Sequence, residues 1–359
     1  MRSLFSFLKI LIVVFYITPS NCSVETQSNC SLKIVTIHGS THVTEPVLVK
    51  LIQSAAFQRL KSIRQYGIFD YIQPPRIPYS RFEHSLGVFF LLRENGASLV
   101  EQIAGLLHDI SHTVFSHSLD PLFMGGFIQG AYQDVIQEKF LKQYGIEDIL
   151  REFGYSVEQV CLKGNVFKGL DQELPYMCAD RIEYNLFAGH MDGQITPEEH
   201  IAILRDLKFD GTNWFFTKIP LAKKFAEISL WQTLNCWGSI PSILGGQWIA
   251  PVFIKALQLK LVDQEDIHFR LGDDHMWQRL HDSKDADIQA GLEKIKNVKK
   301  LYVEKDDGPI HLLTKFRGVN PLVKTPDGLK HLTELDSDFS KKYEQAQNKV
   351  KQGWRVTLT

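Results

Sequence analysis

The chain has 359 residues, 44% of them hydrophobic and 23% charged, with a net charge of −1. This is ordinary globular composition, long enough for one large domain or two modest ones. The near-zero charge excludes a global electrostatic case for binding nucleic acid or an anionic membrane, so any basic substrate pocket must be local.

The chain opens with Arg2 and an apolar run from Leu4 to Ile17, then Thr18-Pro-Ser20. A charged start, a hydrophobic stretch too short for a comfortable membrane span and small residues after it predict a signal peptide over residues 1–22. A working leader would export the protein, to a periplasm or outside the cell; without one it is cytoplasmic. The five cysteines (22, 30, 161, 178 and 236) form neither a Cys-x-x-Cys pair nor a dense framework. Cys178 and Cys236 sit in apolar helical patterns and read as core residues.

Ile34 to Gly39 predicts a short strand and turn. Pro46 to Arg64 is amphipathic, with Leu48, Leu51, Ile52, Ala55, Phe57 and Leu60 on one side of a helix. Pro74-Pro75 and Pro78 enforce an extended loop. Ser80 and Glu83 make a capping-box signature that starts a helix just before His84, and Ser98 with Glu101 repeats it before Ile103–Asp109. A helix from Asp171 or Leu174 through Phe187 carries Asp180, with Pro175 in its first turn. Asp210-Gly211 predicts a hairpin within Leu207–Phe216. Residues 219–300 return to helical periodicity. Strand-like runs (Ile310–Phe316, Trp354–Leu358) and a charged helix, Asp338–Lys351, then close the chain. The expected fold is mainly α, a helical bundle over 34–205 with a helical extension over 206–300 and a small α+β appendage over 301–359.

Within this pattern, three helix-like segments each deliver metal-type side chains from apolar surroundings: His84, the doublet His108-Asp109, and Asp180. Two imidazoles and two carboxylates suit a divalent transition metal. Adjacent side chains on a helix point about 100° apart, so the doublet grips one ion only from a helix end. A lone aspartate buried there would be costly without a compensating cation or hydrogen bonds. The second His-Asp pair, His281-Asp282, lies in a polar segment without comparable partners and reads as surface. His112 is one turn after His108, and His117 and Asp120 follow. Imidazoles beside a metal suit protonation of a leaving oxygen near neutral pH; the alternative is that they orient the metal ligands or simply pack in the core. The chemistry these residues point to is hydrolysis of a phosphate ester.

At these residues the chain resembles the HD-domain phosphohydrolases. Flanking runs are similar to those of the deoxynucleoside triphosphate (dNTP) triphosphohydrolases, including the vertebrate enzyme that carries a sterile-alpha-motif, which this chain lacks. The matching runs are Ile37-His-Gly39, Phe57-Gln-Arg-Leu60 with Gln65, Arg81-Phe-Glu-His-Ser-Leu-Gly87 and His108-Asp-Ile-Ser-His112-Thr-Val-Phe-Ser-His117. The resemblance implies an HD-domain helical bundle with His84, His108, Asp109 and Asp180 on the ion, whether iron, zinc, manganese or magnesium. It implies phosphate contacts from Arg81 and Arg181, a sugar pocket lined by Tyr184, and Gln65 on the deoxyribose. It gives His117 the proton for the departing 5′ oxygen, with His112 and Asp120 supporting, and it suggests a homo-oligomer. Two positions depart from the pattern: the His-Glu pair that follows the metal motif is Gln133-Asp134 here, and the aspartate four positions after the matched tyrosine is Ala188. Glutamine is neither acid nor base, so a role held by that histidine passes to His112 or His117 or is lost. The expected activity is conversion of a dNTP to deoxynucleoside and triphosphate. The alternatives are another phosphate ester, such as a nucleoside monophosphate or a cyclic nucleotide, or a nucleotide-binding protein with degraded catalysis.

Overall fold

A computed structural model describes residues 23–28 and 31–359, apart from 76, 125–130 and 165. Residues 1–22, expected to be a signal peptide, and Cys22 and Cys30 lie outside the described residues. The first sheet starts earlier than the strand expected at Ile34. Strands β1 (Ser23–Ser28), β2 (Ser31–Thr36) and β3 (Gly39–Val43) pair antiparallel in chain order. Along β2 burial alternates, with Leu32 and Ile34 fully inside, the period-2 pattern of a strand with one face on a core.

Helix α1 (Pro46–Gln53) stops at Ser54, whose backbone is extended and whose hydroxyl accepts a hydrogen bond from Phe57 N. A short helix, Ala55–Arg59, and a 3-10 turn, Leu60–Ser62, follow. The single helix expected from Pro46 to Arg64 is therefore three pieces, because a serine hydroxyl offers backbone N–H groups an alternative partner. Ser80 and Glu83 do form the expected capping box that opens helix α2 (Arg81–Glu94), which is buried from Phe82 to Leu92 except at Glu83. Helix α3 (Leu99–Leu107) packs beside it. Ser98 caps α3, but Glu101 leaves its box incomplete and reaches into another loop. Its Oε1 accepts from Gly169 N at 2.7 Å and Leu170 N at 3.1 Å.

That loop governs where Asp180 sits. The Gly169 carbonyl accepts from Ala179 N at 2.7 Å and from Trp214 Nε1 at 2.8 Å. A Cβ on Gly169 would lie 2.9 Å from Glu101 Oε1 and 3.0 Å from a Leu92 methyl, so only glycine fits this approach. Helix α4 (Tyr132–Gln143) covers the end of α3, and helix α5 (Ala179–Met191) begins later than expected. Residues 171–178 are irregular, with the Pro175 carbonyl taken by Asn320 N at 3.0 Å instead of by a helical turn.

Helix α6 (Pro197–Asp206) leads into the expected hairpin of β4 (Lys208–Phe209) and β5 (Trp214–Phe216), whose turn is built by Asp210 Oδ1 accepting from Thr212 N and Asn213 N. Helices α7 (Ile219–Asn235), α8 (Ile240–Gln258), α9 (Asp273–His281) and α10 (Ala286–Lys296) fill the stretch read as helical. By length and composition α8 could cross a membrane. Here its Ile249, Val252, Phe253 and Ala256 share a core with Phe115, Leu280 and Leu292.

Beyond residue 300, β6 (Tyr302–Glu304) and β7 (Ile310–Leu312) flank β10 (Trp354–Leu358). Strand β8 (Leu322–Thr325) pairs with β9 (Gly328–His331) and, in parallel, with β5. Helix α11 (Ser337–Gln352) sends Phe339, Tyr343 and Ala346 into the cluster that holds Ala179, Ile182 and Phe225. The fold is mainly α with a small α+β part, and that part is built onto the helical body through a shared core.

Because Glu101 is a carboxylate accepting two backbone N–H groups, its loss should be felt well beyond helix capping. Glu101→Ala is expected to lower unfolding free energy by about 2–3 kcal/mol, read from the urea midpoint, with Glu101→Gln intermediate.

Candidate metal centre

His84 lies in the first turn of α2, where the capping box fixes the start of the helix. His108 and Asp109 follow the last residue of α3, so the doublet does act from a helix end. Asp180 is the second residue of α5, placed by the Gly169 loop. The Nε2 atoms of His84 and His108 are 3.2 Å apart. Asp109 Oδ2 lies 3.5 Å from the first and 3.6 Å from the second. Asp180 Oδ1 lies 3.0 Å and 3.8 Å from the same two nitrogens. His84, His108 and Asp109 are buried, while Asp180 is one-third exposed and marks the open side.

The other ring nitrogens decide what this cluster can hold. His84 Nδ1 is 2.5 Å from Glu183 Oε2, and His108 Nδ1 is 2.7 Å from the Gly105 carbonyl. Both partners accept only, so each Nδ1 carries a hydrogen and each Nε2 is the cation-binding atom. Burial pulls both histidines toward neutrality, but Glu183, Asp180 and Asp109 outweigh it and raise His84 to about 10. His108 is raised too, by Asp109 and then Asp180. Burial pushes Asp180 up, but hydrogen bonds from His108 and His84 hold it below the usual carboxylate range. Two inward nitrogens and two carboxylates in a cavity that favours positive charge fit a divalent metal.

Glu183 is the residue that sequence reasoning missed. It sits three positions after Asp180, on the same face of α5, and that spacing was the available signal. Its carboxylate receives His84 Nδ1–H, the Tyr79 hydroxyl and, at 3.0 Å, His38 Nε2–H. His38 Nδ1 in turn lies 3.0 Å from His200 Nε2. His200 is held neutral, its pKa lowered to about 2 by burial and then by His38 and His190. Gly87 makes this possible: a Cβ there would lie 2.5 Å from Glu183 Oε1 and 2.7 Å from its Cγ. The glycine in Arg81-Phe-Glu-His-Ser-Leu-Gly87 is thus room for the carboxylate that orients His84.

Of the remaining expected site residues, Arg81 and His112 reach Asp109 directly and the others have different neighbours. Arg81 does not present a free guanidinium. It is buried, with Nη1 2.5 Å from Asp109 Oδ2, Nε on Ser116 Oγ at 3.1 Å and Nη2 on the Gln65 carbonyl at 3.1 Å. In this arrangement it fixes Asp109. His112 Nε2 lies 3.3 Å from Asp109 Oδ1, and burial followed by Arg81 drives its pKa well below the ordinary histidine value. It stays neutral and supports the site. The turn carrying it is held by Arg59, which donates to the His112 carbonyl at 2.9 Å, and by Asp273, which accepts from Phe115 N at 2.8 Å. Phe115 and Ser116 are left-handed there, with φ of 57° and 49°, a bend that brings His117 back beside His112 at 4.8 Å between ring centroids. His117 is exposed and its Nδ1 lies 3.0 Å from Asp120 Oδ2.

Gln133 Nε2 points at Asp109 Oδ1 at 3.4 Å. Gln65 keeps a buried Oε1 without a protein partner, a polar atom free for a ligand. Tyr184 stands edge-on to Trp237 at 5.2 Å. Arg181 donates from Nη1 to the Tyr176 carbonyl at 3.1 Å, with Nη2 3.7 Å from Asp171. His281, at the end of α9, joins no group of metal-type ligands among the described residues.

Residues 81–162 match the HD domain family. Protein YdhJ of Bacillus subtilis is 29% identical over 90% of this chain and 97% of its own length. The metal-dependent phosphohydrolase cns2 of Cordyceps militaris is 39% identical over 48% of this chain and 49% of its own. The deoxynucleoside triphosphate triphosphohydrolase SAMHD1 of Bos taurus is 32% identical over 36% of this chain and 26% of its own. The chain therefore spans nearly all of YdhJ but half or less of the other two. A solved phosphohydrolase from Bacteroides thetaiotaomicron shares the fold, with a TM-score of 0.63 at 16% identity over 85% of this chain and 94% of its own. Fold, motif and donor set together define an HD-domain, metal-dependent phosphohydrolase. Within that class the chain is related to the dNTP triphosphohydrolases.

If Glu183 orients His84, then Glu183→Gln should weaken metal binding by roughly 10–100-fold. Gly87→Ala, which displaces the same carboxylate without touching a ligand, should weaken it too. Metal content after dialysis against a graded chelator measures both, with circular dichroism reporting that the fold persists.

Proposed function

We propose that this protein hydrolyses nucleotides, cleaving a dNTP to deoxynucleoside and intact triphosphate. The observation that carries the hydrolytic reading is the convergence of His84, His108, Asp109 and Asp180 on one point with Asp180 at an open side. The choice of a dNTP is supported by the similarity to the Bos taurus triphosphohydrolase, by the unpartnered Gln65 Oε1 and by Tyr184, one turn after Asp180 on the same helix. Imidazole donors favour a transition metal, iron, zinc or manganese, over magnesium. A homo-oligomer, and export directed by residues 1–22, belong to the same proposal. Mapping the mature N-terminus by mass spectrometry checks the second.

When bound, such a metal acidifies a water and neutralises charge on the α-phosphate. The protein's own groups divide the rest. Arg81, His112 and Gln133 hold the two oxygens of Asp109, so this ligand cannot swing away. His117, with Nδ1 on Asp120, keeps Nε2 available to deliver a proton to the departing 5′ oxygen. Exposure of His117 suits that role, because its proton can be replaced from solvent after each turnover. Arg181 stands beside Asp180 as the guanidinium for phosphate oxygens.

A nucleotide panel in metal-supplemented buffer, with product identification, tests the reading: tripolyphosphate supports it. Orthophosphate from a monophosphate, a linearised cyclic nucleotide, or tight nucleotide binding with no released phosphate would each replace it. His117→Ala is expected to lower kcat by roughly 10²–10⁴-fold with unchanged metal content.

A further inference from the structure

The chain between β7 and β8 has no regular structure, yet it is fastened at three points, on the turn after α7, on α7 itself and on the loop that precedes the helix carrying Asp180. Near its start, a Thr314 methyl lies 3.3 Å from where a Cβ on Gly238 would stand, next to Trp237 and hence to Tyr184. In the middle, Ser229 Oγ of α7 lies 3.4 Å from the Arg317 carbonyl and 3.2 Å from Val319 N. At its end, Asn320 N meets the Pro175 carbonyl at 3.0 Å, beside Tyr176, whose own carbonyl holds Arg181. The segment thus runs from beside Trp237, the ring partner of Tyr184, to beside Tyr176, the backbone partner of Arg181.

Phe316 turns inward, 5.3 Å from the Tyr343 ring and against the core cluster. Lys315, exposed, and Arg317, half-buried, flank it in the chain. Neither has a side-chain ion pair among the described residues, although such pairs occupy many other surface cations. Both bear electrostatically on the site. Arg317, with Arg181, opposes the upward pull of burial and of Asp180 on Tyr184. Burial first, then Arg317 and Arg181, lowers the Lys315 pKa. Three cations on one rim, with Asp171 as the nearby counter-charge, repel one another unless an anion is shared between them.

We propose that Lys315 and Arg317, from the C-terminal part of the chain, complete with Arg181 a subsite for the outer phosphates of a polyphosphate substrate. This rests on the phosphohydrolase reading only for the source of the anion. A guanidinium and an ammonium at the far end from the metal would favour a triphosphate over a monophosphate. The C-terminal segment then selects substrate length, while the bundle supplies the hydrolysis.

The test is calorimetric titration of the full chain with inorganic tripolyphosphate, which needs no turnover. Arg317→Ala and Lys315→Ala are each expected to weaken its Kd by about tenfold and the double variant by more, with Arg317→Lys recovering part. Metal content should not change, and the exposed Lys284→Ala control should bind as wild type does. Equal binding by wild type and the double variant overturns the proposal, as does wild-type protein that binds tripolyphosphate no better than orthophosphate. Should the wild type fail to cleave dNTPs yet bind tripolyphosphate through Arg317, the subsite stands and the dNTP reading falls.

Discussion

The carboxylate of Glu183 ties together the N-terminal sheet, helix α2 and helix α5, and the metal centre takes its form from that junction. A carboxylate this deeply buried is tolerable only when hydrogen bonds and positive charge compensate it; unrelieved burial costs several kcal/mol per ion. Tyr79, His38 and His84 supply the hydrogen bonds, and the positive charge comes from whichever cation, proton or metal, sits on His84 Nε2. With Asp109 and Asp180 close by, the cluster holds three carboxylates against the one guanidinium of Arg81. That excess of negative charge gives the two Nε2 atoms their affinity for a cation. The N-terminal sheet, which contributes no metal ligand, is therefore part of the centre through the turn that carries His38.

A second constraint brings the distant ligand home. Asp180 lies 71 positions beyond Asp109 in the chain, and closing so long a loop carries an entropic penalty that a single ligand bond does not repay. The closure is shared by Glu101, which receives Gly169 N and Leu170 N, and by the Gly169 carbonyl, which receives Ala179 N and Trp214 Nε1. Glu101 belongs to the same helix that ends at His108-Asp109. Doublet and distant aspartate are thus fixed to one rigid element, and their separation does not depend on the intervening helix α4.

Much of this was legible in the sequence wherever the cause was local. The Ser80–Glu83 box sets the register of His84, the Asp210-Gly211 turn makes its hairpin, the apolar run 103–107 marks α3, and the charged stretch Asp338–Lys351 marks α11. Where the structure departs from local expectation, a tertiary partner captures a group assigned to local structure. Glu101, expected in a capping box, serves the Gly169 loop. Pro175, expected in the first turn of a helix, gives its carbonyl to Asn320. The four metal-type residues stood out because their residue types are improbable within apolar helices. Glu183 did not, because a lone glutamate on a helix reads as surface until its burial is known.

The departures at Gln133 and Ala188 acquire a physical meaning from these neighbours. Asp109 Oδ1 is shared between Gln133 Nε2 and His112 Nε2, and Arg81 already holds Oδ2. A second imidazole at position 133 would place another titratable ring beside a guanidinium that already keeps His112 neutral, so it could be protonated only against that charge. The glutamine amide donates to the same oxygen without that conflict. On the proposed function proton delivery would then fall to His117, which is exposed, 3.0 Å from Asp120 and outside the buried pairing around Asp109. Ala188 is almost fully buried one turn after Tyr184, so a carboxylate there would need hydrogen bonds or a counter-charge to compensate its burial.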